Sequence, residues 1–307
     1  MSTTPAIEAI GLGKHHGGVR AVADLSFAVR PGAVTGFLGP NGAGKSTTLR
    51  LLTGLDRPSA GRVLVDGRPL TEWPEPGRKL GAVLGVNCAH RGRTARDSIR
   101  WVCRLAGVPM RRGDDLLEEL GLRGVADRRT GGFSLGMRQR LALAIALVAD
   151  PEILVLDEPM NGLDPEGILW TKDLLRRMRA EGRTLFFTTH LLSEVEDLVD
   201  DLVVIANGAV VDTGSARSFM DRHDHGAVVV RSDDLPGLAA VLQAAGGRVV
   251  RVLDGDRMEV SGLDAAQVGR IAAQAGIPVL ELSTGRSLHG AFDAALNPRL
   301  AVDGGVR

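Results

Sequence analysis

Several residue types are scarce in this 307-residue sequence. Tyrosine is absent, aromatic residues make up 3% of the chain, and only four lysines occur. The two cysteines, Cys88 and Cys103, are too few for a disulfide framework and fit a reducing compartment. We interpret both as buried structural thiols, because neither has a cysteine or histidine neighbour at metal-binding spacing.

Net charge and long apolar runs are missing as well. The 37 basic residues balance 37 acidic ones, so the chain lacks the overall basic character that favours nucleic acid. No run of about 18 apolar residues is present to span a bilayer, and the N-terminal MSTTPAIEAI lacks the features of a signal peptide. With a hydrophobic share of 44%, the composition predicts a globular cytoplasmic protein that does not bind nucleic acid.

The order of apolar runs predicts an α/β fold with a second, smaller domain. Short apolar strands alternate with helical segments over the first two thirds of the chain, which is typical of a mostly parallel sheet. RVLVDG, with its Asp-Gly turn, predicts an antiparallel β edge, and residues 88–150 predict a helical subdomain. After FMDRHDHG (219–226), which resembles a linker, the pattern predicts a small α+β module of the split-βαβ type. We expect domains at 1–218 and 226–307.

The stretch GPNGAGKST follows a predicted strand and opens a predicted helix, which is the context required of a phosphate-binding loop. Its glycines allow backbone N–H groups to converge on phosphate oxygens, its lysine supplies a charge, and its serine hydroxyl can bind Mg²⁺. The predicted nucleotide-binding residues are Gly39, Pro40, Asn41, Gly42, Ala43, Gly44, Lys45, Ser46 and Thr47.

Two further apolar strands end in residues suited to phosphoryl transfer. EILVLDEP ends in Asp157 and Glu158, which alternation along a strand directs to different sides. Asp157 is the predicted Mg²⁺ ligand together with Ser46, and Glu158 the predicted general base. TLFFTTH ends in His190, which at a neighbouring strand edge can contact the γ-phosphate and the attacking water.

A second helix start also suits an anion. In FSLGMRQRL, Ser134 and Gly136 stand where an alanine- and leucine-rich helix is predicted to begin, and helix N-termini attract negative charge. The glycine loop already supplies one phosphate site, so this second site requires an explanation.

Taken in order and at these separations, GPNGAGKST, SLGMR, ILVLDEP, NGLD and TTH resemble the ATPase subunit of an ABC transporter over roughly residues 6–215. This resemblance implies that Ser134 and Gly136 close over ATP held by the glycine loop of a second copy, in a two-fold homodimer with composite sites. It implies that Asp164, at the end of NGLD, lies in the loop that links the two sites. It also places His16 where the family has an adenine-stacking aromatic residue.

The sequence departs from the family pattern at three other positions. Met137 follows the signature where Gln is more common, and Asn161 begins the loop where Ser is more common. After LGAVLG, Gly85 stands at the position of the usual glutamine, with Asn87 two residues later. In the family this glutamine links the Mg²⁺ site to the membrane partner, so its absence here puts that link in doubt.

The resemblance implies an ATP- and Mg²⁺-dependent ATPase that dimerises on ATP and energises a separate membrane permease from the inner face of the membrane. NGLDPEG and the appended domain resemble ATPases that export drugs or antibiotics. An importer ATPase, a soluble ABC ATPase outside transport and a regulator without turnover remain alternatives. In TARDSIRWVCRLAG, the predicted apolar stripe of a helix consists of Ala95, Ile99, Val102, Cys103 and Ala106. Off this stripe lie Arg93, Arg96, Arg100, Arg104 and Trp101, which form either a solvated face or a ridge that docks on the permease's cytoplasmic helices or on anionic lipid headgroups.

Overall fold

The structure is a computed structural model, and it describes residues 4–223, 228–284 and 288–296. The chain forms two compact units, one ending at Gly214 and the other beginning at Ser215. Among the helices in the described part of the chain, none is long and apolar enough to cross a membrane.

Two sheets form the framework of the first unit. The smaller is antiparallel with strand order β2-β1-β4 and contains β1 (Ile7–His16), β2 (Val19–Val29) and β4 (Ala60–Val65). The larger has the order β5-β6-β7-β3-β8-β9. It contains β3 (Val34–Leu38), β5 (Leu80–Val83), β6 (Ile153–Leu156), β7 (Thr184–Thr188), β8 (Asp201–Ala206) and β9 (Ala209–Ser215).

The larger sheet is parallel from β5 to β8, as the alternating pattern predicts. Every residue of β3, β6 and β7 is buried, which explains why these strands are mostly apolar rather than alternating. Phe27 of β2 packs against Phe37 of β3 and Phe186 of β7, with ring centroids 5.6 Å apart in each case. The core of the first unit therefore lies between the two sheets.

The helices of the first unit follow the strands. They are α1 (Lys45–Leu52), α2 (Pro76–Lys79), α3 (Ala95–Leu105), α4 (Met110–Glu119), α5 (Leu135–Ala146), α6 (Pro165–Ala180) and α7 (Leu192–Val195). Three of them, α3 to α5, fall within the predicted helical subdomain. Thr94 begins α3 as an N-cap, because its hydroxyl accepts a hydrogen bond from the Asp97 N–H.

The arginine-rich face of α3 is partly engaged within the chain. Arg96 contacts both Asp114 and Asp127, and Arg100 Nη2 lies 2.8 Å from Asp114 Oδ2. The hydrogen bond from Arg100, followed by that from Arg96, holds the pKa of the Asp114 carboxyl below its ordinary value. Two of the four arginines thus tie α3 to its surroundings, whereas Trp101 is 50% exposed.

Two expectations about burial are wrong. Cys103 is buried as predicted, but Cys88 is exposed because it lies in the irregular segment between β5 and α3 rather than inside an element. Ala106, expected on the apolar stripe of α3, is also exposed, since the helix has already ended at Leu105.

The second unit is an α+β module built on an antiparallel sheet of order β11-β12-β10-β13. Its elements are α8 (Ala216–His223), β10 (Val228–Arg231), α9 (Leu235–Ala244), β11 (Arg248–Asp254), β12 (Arg257–Ser261), α10 (Ala265–Gln274), β13 (Glu281–Thr284) and α11 (Leu288–Leu296). From β10 to β13 this is the strand and helix order of the predicted split-βαβ module.

The predicted linker is wrong for residues 219–223, which belong to α8. Phe219 is fully buried, and its ring centroid lies 4.7 Å from that of His223 one helical turn later. The side of this short helix opposite Phe219 carries charged residues, and their number made the segment resemble a loop in composition. The remaining linker residues, 224–226, lie outside the described residues.

Candidate nucleotide site and its second helix start

The glycine-rich loop connects β3 to α1, as the motif requires. Gly44 is the N-cap of α1 with φ 99°, and a Cβ there would lie 2.4 Å from the Ala21 carbonyl oxygen. Gly42 also has positive φ, 81°, but a Cβ there would meet no atom within 4 Å. Glycine at 44 thus allows close packing on β2, whereas glycine at 42 allows a positive φ in an exposed part of the loop.

Lys45 is folded into this loop. Its Nζ donates to the carbonyl oxygens of Gly39 at 2.7 Å and Pro40 at 3.2 Å, and the residue is 7% exposed. Burial lowers the pKa of Lys45 from its ordinary value, and the nearby carboxylates of Glu158 and Asp157 oppose that shift. A buried ammonium group beside an open glycine loop is suited to contact phosphate oxygens.

The two carboxylates follow β6, which pairs with β7 in the sheet. Asp157 Oδ1 accepts a hydrogen bond of 2.6 Å from the Thr188 hydroxyl, at the end of β7. The same hydroxyl oxygen accepts the Glu158 N–H at 2.8 Å. Thr188 therefore fixes both acidic residues at once, although the sequence analysis did not single it out.

Glu158 and His190 lie together, as the sequence predicts from their strand ends. The Nδ1 atom of His190 is 3.0 Å from Glu158 Oε2. The amide of Asn161 donates to the same carboxylate oxygen at 2.8 Å. Glu158 itself has φ 46°, a conformation that non-glycine residues adopt infrequently and that is common at functional sites.

The sequence and the fold are also similar to those of known proteins. A family model described as "ABC transporter" matches residues 22–161. The Nod factor export ATP-binding protein I of Ralstonia nicotianae is 37% identical over 258 residues, covering 81% of this chain and 79% of that protein. The chain belongs to the ATP-binding proteins of ABC transporters.

Two further similarities support the assignment to this family. The bacitracin transport ATP-binding protein BcrA of Bacillus licheniformis is 38% identical over 215 residues, covering 69% of this chain and 70% of that protein. A solved structure of the ATP-binding subunit of an ABC transporter superposes with a TM-score of 0.65 at 26% identity, covering 71% of this chain and 92% of that one. A separate model, described as a domain of unknown function (DUF8746), matches residues 226–288.

Membership of this family makes the chain an ATPase, and the residues present suit its nucleotide. The loop offers backbone N–H groups, an open glycine at 42 and the Lys45 ammonium to the phosphates. Ser46 is exposed in the first turn of α1, and its hydroxyl and the Asp157 carboxylate are oxygen donors of the kind that Mg²⁺ prefers. The residues of this site therefore fit both ATP and Mg²⁺.

The second helix start lies in a different place. Ser134 is the N-cap of α5, and its hydroxyl accepts the Met137 N–H at 3.3 Å. It lines a groove of about 440 Å³ together with Gly136, Gly162, Leu163 and Asp164. None of the residues lining this groove belongs to the glycine loop. Within one chain, the N-terminus of α5 and the glycine loop before α1 are therefore separate sites for an anion.

The groove is held together by the two helices that border it. Asp164 is the N-cap of α6, where its carboxylate accepts the Gly167 N–H at 2.9 Å. Arg140 of α5 stacks on Trp170 of α6, with the guanidinium carbon 4.3 Å from the ring centroid. A Cβ at Gly162 would lie 2.8 Å from Leu135 Cδ2, so the NGLD loop packs closely on the start of α5.

Three further positions singled out in the sequence are exposed. His16 is exposed at the end of β1 and pairs with Val19 of β2. Two residues after Val19, the Ala21 carbonyl packs on Gly44 of the glycine loop. Gly85 and Asn87 follow β5 and are exposed. Asn87 lines a cavity of about 280 Å³ with Cys88 and Arg138.

Proposed function

We propose that this chain is the ATP-hydrolysing subunit of an exporter of small molecules and that it energises a separate membrane permease. The observation that supports the proposal best is the Glu158–His190 pair at 3.0 Å, on the strands that continue the parallel sheet beside the glycine loop. A nucleotide-binding regulator without turnover has no need of a carboxylate held beside an imidazole. A relative named for Nod factor export supports export, and one named for bacitracin transport supports a role in transport.

The proposed chemistry is the in-line attack of water on the γ-phosphorus of ATP, with departure of ADP. The glycine loop, from Gly39 to Thr47, and the Lys45 ammonium hold the phosphates. The Glu158 carboxylate accepts the proton of the attacking water, and the His190 imidazole contacts the γ-phosphate. Ser46 and Asp157 would hold Mg²⁺, which neutralises charge on the phosphate oxygens. Asp157 is kept in place for that role by the Thr188 hydroxyl.

The second helix start is explained by a homodimer in which each site contains parts of both copies. Ser134 and Gly136 of one copy would contact the phosphates held by the other copy, and Asp164 would lie in the loop between the two sites. The separation of the Ser134 groove from the chain's own glycine loop supports this arrangement. The interface would be isologous, because the same surface of each copy contributes to both sites. His16 would stack on adenine.

The two predicted domains would have different roles. Residues 1–218 would form the ATP-binding domain, with the helical subdomain at 88–150, and residues 226–307 a small accessory domain.

The ATPase would act at the cytoplasmic face of the membrane, bound to its permease rather than to lipid. No role for nucleic acid is proposed, since the charge of the whole sequence is balanced.

Replacement of Glu158 by Gln tests the proposal. We expect ATP binding to persist, turnover to fall by about 10² or more, and a dimer containing nucleotide to accumulate, because the amide cannot accept the proton. Turnover and oligomeric state would be measured with ATP and Mg²⁺. Glu72→Gln is a matched control, because Glu72 is exposed in the segment between β4 and α2, outside the site. Near-normal turnover of the Glu158→Gln variant would contradict the proposed role.

A further inference from the structure

The Glu158 side chain is held through one of its two carboxylate oxygens. Asn161 Nδ2 donates to Oε2 at 2.8 Å, and His190 Nδ1 lies 3.0 Å from that same atom. Among the residues that the structure describes, both of these contacts go to Oε2. The other oxygen, Oε1, is thereby left as the acceptor for a water molecule.

The backbone around Glu158 is fixed independently of this contact. The Glu158 N–H donates to the Thr188 hydroxyl at 2.8 Å, and the Glu158 carbonyl accepts the Asn161 N–H at 3.1 Å. These bonds fix where the side chain begins but not the direction in which it points. A glutamate side chain loses considerable rotamer freedom when it is fixed, and a hydrogen bond to its carboxylate supplies that restraint.

The position of Asn161 connects Glu158 to the second helix start. Asn161 is the first residue of NGLD, and the three residues that follow it line the groove that contains Ser134 and Gly136. The loop that would contact the nucleotide of the other copy therefore also restrains the carboxylate that acts on this copy's nucleotide.

We propose that Asn161 is a positioning residue for hydrolysis, which ties Oε2 of Glu158 so that Oε1 faces the attacking water. This inference rests on the proposed function of Glu158. An uncharged amide suits the role, because it donates a hydrogen bond without neutralising the carboxylate or supplying a proton to it. A shorter serine at this position would have less reach toward Oε2.

Three substitutions of Asn161 separate positioning from a purely structural role. Asn161→Ala removes the donor, Asn161→Asp keeps the shape but places a carboxylate against Glu158, and Asn161→Gln keeps an amide donor. Because Asn161 is exposed, none of them opens a cavity in the core. Unfolding temperatures close to that of the wild type would verify that the fold is intact.

We expect kcat for ATP to fall by about tenfold in Asn161→Ala and further in Asn161→Asp, with KM for ATP within about twofold of the wild type. Asn161→Gln should retain most of the activity. A rise in kcat on removal of the amide would overturn the inference, because Asn161 would then restrain rather than position the base. Equal kcat values for Asn161→Asp and the wild type would also overturn it.

A measurement without turnover tests the same contact. In the nucleotide-free protein, the imidazole ¹⁵N resonances of His190, assigned by their loss in His190→Gln, should shift in Asn161→Ala and Asn161→Asp and stay in place in Asn161→Gln. Unshifted resonances in all three variants would overturn the inference. Failure of the proposed function is distinguishable, because the wild type would then lack ATPase activity or Glu158→Gln would retain it.

Discussion

The most informative prediction concerns two substitutions that damage different nucleotide sites. Lys45→Ala removes the ammonium of the glycine loop, and Ser134→Arg places a bulky charge at the start of α5. If the sites are composite, Lys45 and Ser134 of one copy serve different nucleotides. A hybrid of the two variants then has one site in which both residues are damaged and one in which both are intact.

The expected recovery follows from counting. Equal amounts of the two variants, mixed under conditions of subunit exchange, give hybrids in about half of the dimers, and each hybrid retains one of two sites. The mixture should therefore reach about a quarter of wild-type turnover if the sites act independently. Each variant alone should be nearly inactive, yet isolated Ser134→Arg should bind ATP almost normally, because its own glycine loop is intact.

The local structure at Ser134 supplies a second variant. Ser134→Arg loses the hydroxyl that caps α5, which costs about 1 kcal/mol of stability. Ser134→Asp keeps a side-chain cap but adds negative charge where a phosphate would lie, so it should block turnover without that loss. If both variants complement Lys45→Ala equally, the defect is at the phosphate and not in the fold.

The assay is steady-state release of phosphate at several mixing ratios, with unfolding temperatures measured in parallel. The control is a mixture of Lys45→Ala with Glu158→Gln, because in the proposed dimer both residues would act on the nucleotide of their own copy. That mixture should stay inactive, since both of its sites are damaged. The reasoning is refuted if Lys45→Ala and Ser134→Arg also fail to recover activity, or if Ser134→Arg alone loses ATP binding.

Two other predictions follow from side-chain contacts. Thr188→Val keeps the shape of Thr188 but removes the hydroxyl that fixes Asp157 and Glu158, so kcat should fall by about tenfold in a steady-state ATPase assay. Thr35→Val is its control, because the buried Thr35 hydroxyl has no hydrogen-bond partner among the described residues, and equal losses in both would contradict the assignment. Trp101→Ala should leave soluble ATPase activity within about twofold yet weaken co-purification with a co-expressed permease, because this half-exposed ring would lie in the permease-docking ridge on α3. Unchanged co-purification would identify it as a solvated residue.

The ion pair of Arg100 makes this residue a poor position at which to test docking through α3. A double change of Arg100→Glu and Trp101→Ala would alter two side chains that lie off the predicted apolar stripe of α3. Arg100 is paired with Asp114, so a glutamate there would place two carboxylates together and disturb the packing of α3 on α4. Trp101 alone is therefore the cleaner probe of docking.

The sequence alone determined the features that depend on neighbours along the chain. A glycine loop between a strand and a helix has few uses, and four buried apolar residues followed by Asp157 and Glu158 mark a strand that emerges at the ligand edge of a sheet. The alternation of strands and helices likewise predicted the parallel sheet and the smaller α+β unit.

The tertiary structure decided which of these residues meet. The pairing of β6 with β7 brings the Thr188 hydroxyl onto two acidic residues some thirty positions earlier, and no local pattern indicates that contact. The turn after β6 gives Glu158 its positive φ and allows Asn161 to reach back to the carboxylate. The burial of Phe219 and the exposure of Cys88 were likewise undetermined by composition, because burial depends on what packs against a residue and not on its type alone.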